Sequence, residues 1–424
     1  MNCCIKKVTI VNKAGNHHLQ KRDILIRNGI ITRIATKIEA DKKDTIIDGD
    51  GLYISAGWFD MFASFGDPGN EHKETIVSGL NAAAAGGFTD MLLLPDTSPV
   101  IDNKSGIAYV KERAKGHVTN LHIAGSITVD AAGKDLAELY DMHTAGALAF
   151  TDGNKSVQDS GVIVRALQYV KPFDGIIINK PNDRSISQQG VINEGRMSAA
   201  LGLKPIPALA EEIIVMRDIQ LAQYTDAPII IGPVTTSGSV DCIRQARRKK
   251  LPVSCFVLSH HLFLNETELE HFDSNLKLNP PLRTATDVKA LQKGLLDGTI
   301  GAVASGHQPQ NEELKKVEFD YAAFGAINLQ TSFSITNTGM AQPGAEWIAS
   351  KFSDGPRALL RLPEYRIAEG VMASLTLFNI DKPHTFTRAM NKSLSENSPY
   401  FNRQLIGCAV AVINNNQIKY CFNE

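Results

Sequence analysis

Eight short apolar runs punctuate this chain, at 53–59, 88–94, 121–127, 147–150, 175–178, 228–231, 253–257 and 301–304. Each is too short for a helix. A strand buried on both faces reads as an unbroken apolar run, because neither of its sides meets water. Amphipathic stretches at helical spacing lie after or near most of them, for example 107–114, 161–170, 206–223, 240–249 and 287–296. Strands alternating with helices demand a parallel sheet covered by those helices. Eight such units predict an α/β chain built as a (β/α)8 TIM barrel. In that architecture the functional side chains stand where strands end and loops begin, so those positions are the ones to read.

The two ends of the chain follow another pattern. Short alternating runs at 6–11, 24–27, 30–35 and 45–47 contain no helix of useful length, and Asn28-Gly29 between two of them is a hairpin signal. Strand character returns at 374–379 and 408–413, and after the turn Asn414-Asn415-Asn416 residues 417–421 can pair back. The expected organisation is a small β-sandwich built from 1–54 and 355–424, beside a barrel spanning 55–354.

With 424 residues, 43% hydrophobic and 21% charged, the chain can bury a large core. A formal net charge of -1 gives no global electrostatic case for nucleic acid or an anionic membrane. No apolar run approaches the ~20 residues that span a bilayer, and Met1-Asn2-Cys3-Cys4-Ile5-Lys6-Lys7 lacks the apolar centre of a signal peptide. A cytoplasmic protein is expected. Cys3, Cys4, Cys242, Cys255, Cys408 and Cys421 form no Cys-x-x-Cys pair, so they read as reduced thiols rather than a disulfide or zinc framework.

The junction after the first run reads Trp58-Phe59-Asp60-Met61-Phe62-Ala63-Ser64-Phe65-Gly66-Asp67-Pro68-Gly69 and leads through Lys73-Glu74-Thr75 into an Ala-rich helix. Further along stand Ala82-Ala83-Ala84-Ala85-Gly86-Gly87-Phe88-Thr89, Pro95-Asp96-Thr97-Ser98-Pro99-Val100, Asn193-Glu194-Gly195, Ser259-His260-His261-Leu262, Asn279-Pro280-Pro281-Leu282-Arg283 and Phe324-Gly325. Through these stretches, over nearly its whole length, the chain resembles type I dihydroorotase of the amidohydrolase superfamily. The resemblance implies a site in which one or two divalent metals turn water into a nucleophile. Histidines and carboxylates from several strand ends would hold those metals.

Position by position, the resemblance points to a dismantled site. The family's first strand carries Asp-x-His-x-His, and its two histidines fall on Phe62 and Ser64. The arginine that grips the substrate carboxylate falls on Gly66. The carboxylate of strand four is represented by Asp152, half of a doubled aspartate. The strand-five histidine falls on Asn179, followed by Lys180, and the strand-six histidine falls on Pro233. At strand eight the family's Asp-His-Ala-Pro-His reads Gly306-His307-Gln308-Pro309-Gln310. The aspartate that is both ligand and proton shuttle is therefore Gly306, and the last histidine, a substrate contact, is Gln310. Asn279 keeps its residue type, and Asp96 stands where the family has asparagine. A structural zinc site contributes ~10–16 kcal/mol of binding, so losing all four histidines and the aspartate leaves no metal site. The family's zinc is thus not expected here, and no confident catalytic residue remains.

Asp96, Lys180, Asn279, His307 and Gln310 are left as candidates for lining a substrate pocket. Lys180 is expected to pair with Asp152 and so replace the lost metal charge; the plainer reading makes it a solvated lysine. His260-His261 are expected to satisfy local hydrogen bonds, and His17-His18 to face water in a polar turn. Arg247-Arg248-Lys249-Lys250 reads as a solvated helix end, and Gly86-Gly87 as a turn rather than a phosphate loop. Ser64 lacks any base placed by sequence spacing, and Phe62 is expected to plug the old pocket.

The expected function is that of a catalytically inactive, dihydroorotase-like pseudoenzyme. In some bacteria such chains serve as structural partners of aspartate transcarbamoylase in pyrimidine biosynthesis, so the resemblance implies that partner, and a homodimer. The alternatives are an active dihydroorotase or related cyclic amidase with a rebuilt site, and a module that binds a small ring or carboxylate.

Overall fold

The computed structural model describes residues 1–421. Strands β1 (Asn2–Val11), β2 (Lys21–Arg27), β3 (Ile30–Ala35), β4 (Thr45–Asp48) and β5 (Tyr53–Ala56) open the chain. Asn28 (φ 49°) and Gly29 (φ 78°) turn β2 into β3, a hairpin geometry that needs two left-handed residues. The register of β1 slips between Ile5 and Val8, with Lys7 at φ 53°, and β1 takes β4 before the slip and β5 after it.

The barrel consists of β6 (Trp58–Ala63), β7 (Phe88–Leu93), β8 (Asn120–Gly125), β9 (Ala147–Phe150) and β10 (Ile177–Asn179). A side ladder of β11 (Ile192–Asn193) and β12 (Pro205–Ile206) interrupts the series. It resumes with β13 (Ile229–Ile231), β14 (Val253–Leu258) and β15 (Ala302–Ala304). These eight strands are parallel neighbours in sequence order, the barrel that the apolar runs predict. The seam between β15 and β6 is closed above the strands by Gly306 N–H donating to Phe62 O (3.1 Å) and Ser64 N–H to His307 O (2.8 Å). Asp60 completes the seam by accepting from the backbone N–H and the hydroxyl of Ser305, each at 2.6 Å.

Strands β16 (Leu375–Thr385), β17 (Gln404–Asn414) and β18 (Gln417–Tyr420) join the first five in one sheet, ordered β18-β17-β16-β5-β1-β2-β3 with β4 on β1. Ile5, Ile24, Ile54, Leu377 and Ala411 share one apolar core within this unit. Trp58 ties it to the barrel: its ring lies 4.9 Å from Phe333, 5.4 Å from Phe352 and 5.2 Å from Phe378.

The run at 53–59 is two strands rather than one. Gly57 breaks it, and any Cβ there would meet Thr89 Oγ1 at 2.0 Å. Residues 53–56 pair in the terminal sheet, and the first barrel strand runs on to Ala63. Phe62 consequently sits within a strand. The helix expected at 206–223 is Ala208–Thr225, displaced because Pro207 lies in extended backbone before it.

Candidate functional site: the closed barrel mouth

The end of β6 sets the character of the mouth. Phe62 is 3% exposed, tilts against Phe256 at 5.3 Å and belongs to the apolar cluster inside the barrel with Ile178, Leu258 and Ala304. Its ring fills space rather than offering a lone pair. Two residues on, Ser64 donates its hydroxyl to Asp96 Oδ2 at 3.0 Å. Gly66 admits no side chain at all, since a Cβ there would lie 1.9 Å from Asn70 O. The position of the carboxylate-gripping arginine is thereby occupied by backbone.

The remaining strand ends are turned to other tasks. Asp152, beyond β9, accepts from the Ser126 hydroxyl (2.8 Å), the Thr128 N–H (3.0 Å) and the Thr128 hydroxyl (2.6 Å). It staples the ends of the third and fourth barrel strands. Asn179, at the end of β10, donates to Asp218 Oδ2 at 2.6 Å and accepts from Val157 N–H at 3.3 Å. Pro233 follows a cis peptide from Gly232 and is buried. Gly306 has φ +67°, and a Cβ there would meet Leu258 Cδ1 at 2.7 Å. His307, 1% exposed, accepts from Asn328 N–H through Nδ1 (3.1 Å) and directs Nε2 toward Glu74 Oε2 at 3.4 Å. Gln310 donates to Phe324 O at 2.9 Å.

Lys180 does not pair with Asp152, nor is it solvated. Its side chain is 1% exposed, and Nζ donates to Asn279 O (3.0 Å) and Asn154 O (3.2 Å). Asp152 has no need of a cation because three donors already satisfy it. The carboxylates that act on Lys180 are Asp96, the larger influence, and Glu211. Burial pushes Lys180 down to about 8, against the pull of Asp96 and Glu211. Burial likewise raises the Asp96 carboxyl, against donors from Asn154 and Ser64 and the charge of Lys180. Asn154 connects the two, donating to Asp96 through its backbone (3.1 Å) and its amide (2.6 Å) while its carbonyl receives Lys180. Gly153 makes this approach possible: at φ +64° any Cβ would fall 2.0 Å from Asp96 Oδ1.

Of the candidate residues, Ser64, Gly66, Asp96 and Gln310 thus meet at one small cavity of about 90 Å³, with Lys73 on its wall. Lys180 and Asn279 are linked to each other through a carbonyl, and Asp152, Asn179, Pro233 and His307 serve the surrounding framework. His260 and His261 are held locally, by the Tyr400 hydroxyl at 2.7 Å and by the carbonyls of Pro280 and Pro281 at 3.2 Å. Burial keeps His260 well below the usual range and takes His261 down to about 4. Among the described residues, no three His, Cys, Asp or Glu side chains are grouped so as to hold a metal ion. The residues at the mouth do not fit the zinc that the resemblance implies.

Several residues of this network escape a reading by motif. Asn154 carries a faint signal, as an amide directly after a glycine at a strand end. Glu74 belongs to a matching stretch, but its role does not show there, because it accepts from Ser393 and from Leu394 N–H (2.9 Å), more than three hundred residues away, and faces His307.

The family described as Dihydro-orotase-like matches residues 52–237. A protein named Dihydroorotase from Carboxydothermus hydrogenoformans is 37% identical over 406 residues, covering 95% of this chain and 94% of its own. Another of that name, from Caldanaerobacter subterraneus subsp. tengcongensis, is 36% identical over 429 residues, covering 100% and 98%. Among solved structures, L-hydantoinase (dihydropyrimidinase) from Arthrobacter aurescens superposes with a TM-score of 0.86 at 20% identity, over 99% of this chain and 96% of that one. That likeness bears on the fold, whereas the near-full-length sequence identity bears on descent. The chain belongs to the dihydroorotase-like family.

Proposed function

We propose that this chain has given up metal-dependent cyclic amide hydrolysis and serves as a non-catalytic member of its family, a structural partner in pyrimidine biosynthesis with aspartate transcarbamoylase as the partner. The observation that carries the first half is Gly306 in the aspartate's place, where a Cβ would meet Leu258 Cδ1 at 2.7 Å and any side chain requires Leu258 to move. Phe62 in the apolar interior and the absence of a ligand cluster among the described residues support it. Zinc has no part in this reading. The protein acts in the cytoplasm as a homodimer and engages neither nucleic acid nor membrane. Among the described residues no helix is long and apolar enough to cross a bilayer.

The test combines three measurements on the purified full chain. Metal analysis after growth with zinc, and assays of dihydroorotate hydrolysis and carbamoyl-aspartate cyclisation, should all give blanks. Co-expression with the aspartate transcarbamoylase of the same organism should yield a complex whose transcarbamoylase activity depends on this chain. Stoichiometric zinc with turnover overturns the proposal in favour of the second reading, an active dihydroorotase or related cyclic amidase with a rebuilt site. The observation that favours that reading is the 36–37% identity to proteins bearing the enzyme's name. A small-molecule binding role for the 90 Å³ cavity rests on Asp96 and Ser64, and thermal shift with pyrimidine intermediates would expose it.

A further inference from the structure

Gln310 forms part of the wall of two cavities. One is the small remnant at the barrel mouth; the other, beside it, is about 410 Å³. The larger is in the range that encloses a small organic ligand. Two segments distant in sequence build most of it, residues 310–316 after the last barrel strand and 394–397 ahead of β17. Its surface charges neutralise one another in the pairs Lys316–Glu312 and Arg388–Glu396.

Lys315 is different. It is 5% exposed, and Nζ donates to Ala323 O at 2.9 Å and Gly325 O at 3.1 Å, with no ion pair among the described residues. The nearby Lys277, 2% exposed, is also held only by carbonyls, those of Phe319 (2.8 Å) and Asp320 (2.9 Å), and by the ring of Phe324 at 4.9 Å. Of the two, Lys315 lines the cavity; it is buried with no carboxylate at ion-pair distance among the described residues, an arrangement that an anion in the cavity would relieve. The same wall holds the opposite deficit. Gln310 is 8% exposed, and with its amide nitrogen on Phe324 O its Oε1 has no partner; Asn311 Oδ1 is likewise buried without one. Buried oxygens without donors are costly, and a ligand N–H would satisfy them.

We infer that this second cavity is a binding site for a small carboxylic acid that also carries amide or amino N–H groups, the class of amino acids and their N-acyl derivatives. The carboxylate faces Lys315, and the N–H groups face Gln310 Oε1 and Asn311 Oδ1. Gln310 apart, which also lines the remnant at the barrel mouth, the wall of this site comes from residues outside that remnant.

Calorimetric titration of the full chain with N-acetyl-L-alanine and L-glutamine tests it, with acetate and acetamide as the separated halves. The expected result is saturable binding of at least one bifunctional probe, about tenfold or more tighter than either half. A Gln310→Ala/Asn311→Ala variant should weaken that binding at least about tenfold while keeping the wild-type melting profile. Lys315→Met should abolish it, and because that variant risks misfolding, the amide variant carries the decision. Two results overturn the inference: no saturation by either bifunctional probe at millimolar concentration, or acetate binding as tightly and surviving the amide substitutions unchanged.

Discussion

Leu258 occupies the volume that a side chain at position 306 would need: a Cβ built on Gly306 meets Leu258 Cδ1 at 2.7 Å, and Leu258 is 5% exposed. Restoring a side chain at position 306 therefore requires Leu258 to move. Replacing Gly306 with aspartate forces a left-handed backbone onto an L-residue, at about 1–2 kcal/mol, and overpacks the interior, at about 1–3 kcal/mol. Gly306→Asp should cost roughly 2–5 kcal/mol in urea denaturation, and trimming Leu258 to alanine in the same chain should recover part of the overpacking share. A fully stable Gly306→Asp chain would mean that the mouth repacks freely and the loss is readily reversed.

Phe62 makes a complementary prediction. The ring lies in the apolar interior against Phe256, so Phe62→Ala leaves a void and should destabilise the chain by about 3–5 kcal/mol. Phe62→His/Ser64→His should not bring back stoichiometric zinc, because Asn179, Pro233 and Gly306 still offer no imidazole or carboxylate. Metal analysis of the double variant after dialysis decides this.

Lys180 shows where the sequence stops being informative. Each lost ligand was legible because it belongs to a contiguous motif at one strand end, and the barrel was legible because an interior strand must be apolar on both faces. The partner of Lys180 was not, since several acidic residues stand near strand ends and their donors come from other strands. Ser126 and Thr128 satisfy Asp152, which leaves Asp96 to act on Lys180 by way of Asn154. Gly57 was likewise invisible: the apolar run through it continues, and only the close approach of Thr89 explains the break. A double-mutant cycle of Lys180→Met with Asp96→Asn should return a coupling of about 1–3 kcal/mol, and the cycle with Asp152→Asn less than about 0.5 kcal/mol. The reverse order would restore the Lys180–Asp152 pairing.

Lys315 predicts how stability varies with pH. Burial takes it from 10.5 to about 7 in the folded chain. Between those values the unfolded chain holds a proton that the folded chain has released, so unfolding takes up a proton and stability rises with pH. The slope from one such group is at most about 1.4 kcal/mol per pH unit. Lys180, lowered to about 8, adds the same sign from there upward. Buried thiols oppose it higher still: Cys3 and Cys255 are pushed from 9.0 to about 12, so their unfolded forms lose a proton first and stability falls. The window in which these two lysines act ahead of the thiols therefore runs from pH 7 to 9, with Lys315 leading in its lower half. There the free energy of unfolding should climb by about 1–3 kcal/mol in wild type, and Lys315→Met should flatten the lower half of the rise whatever its absolute stability. A variant that climbs as steeply as wild type between pH 7 and 8 assigns the slope to another group.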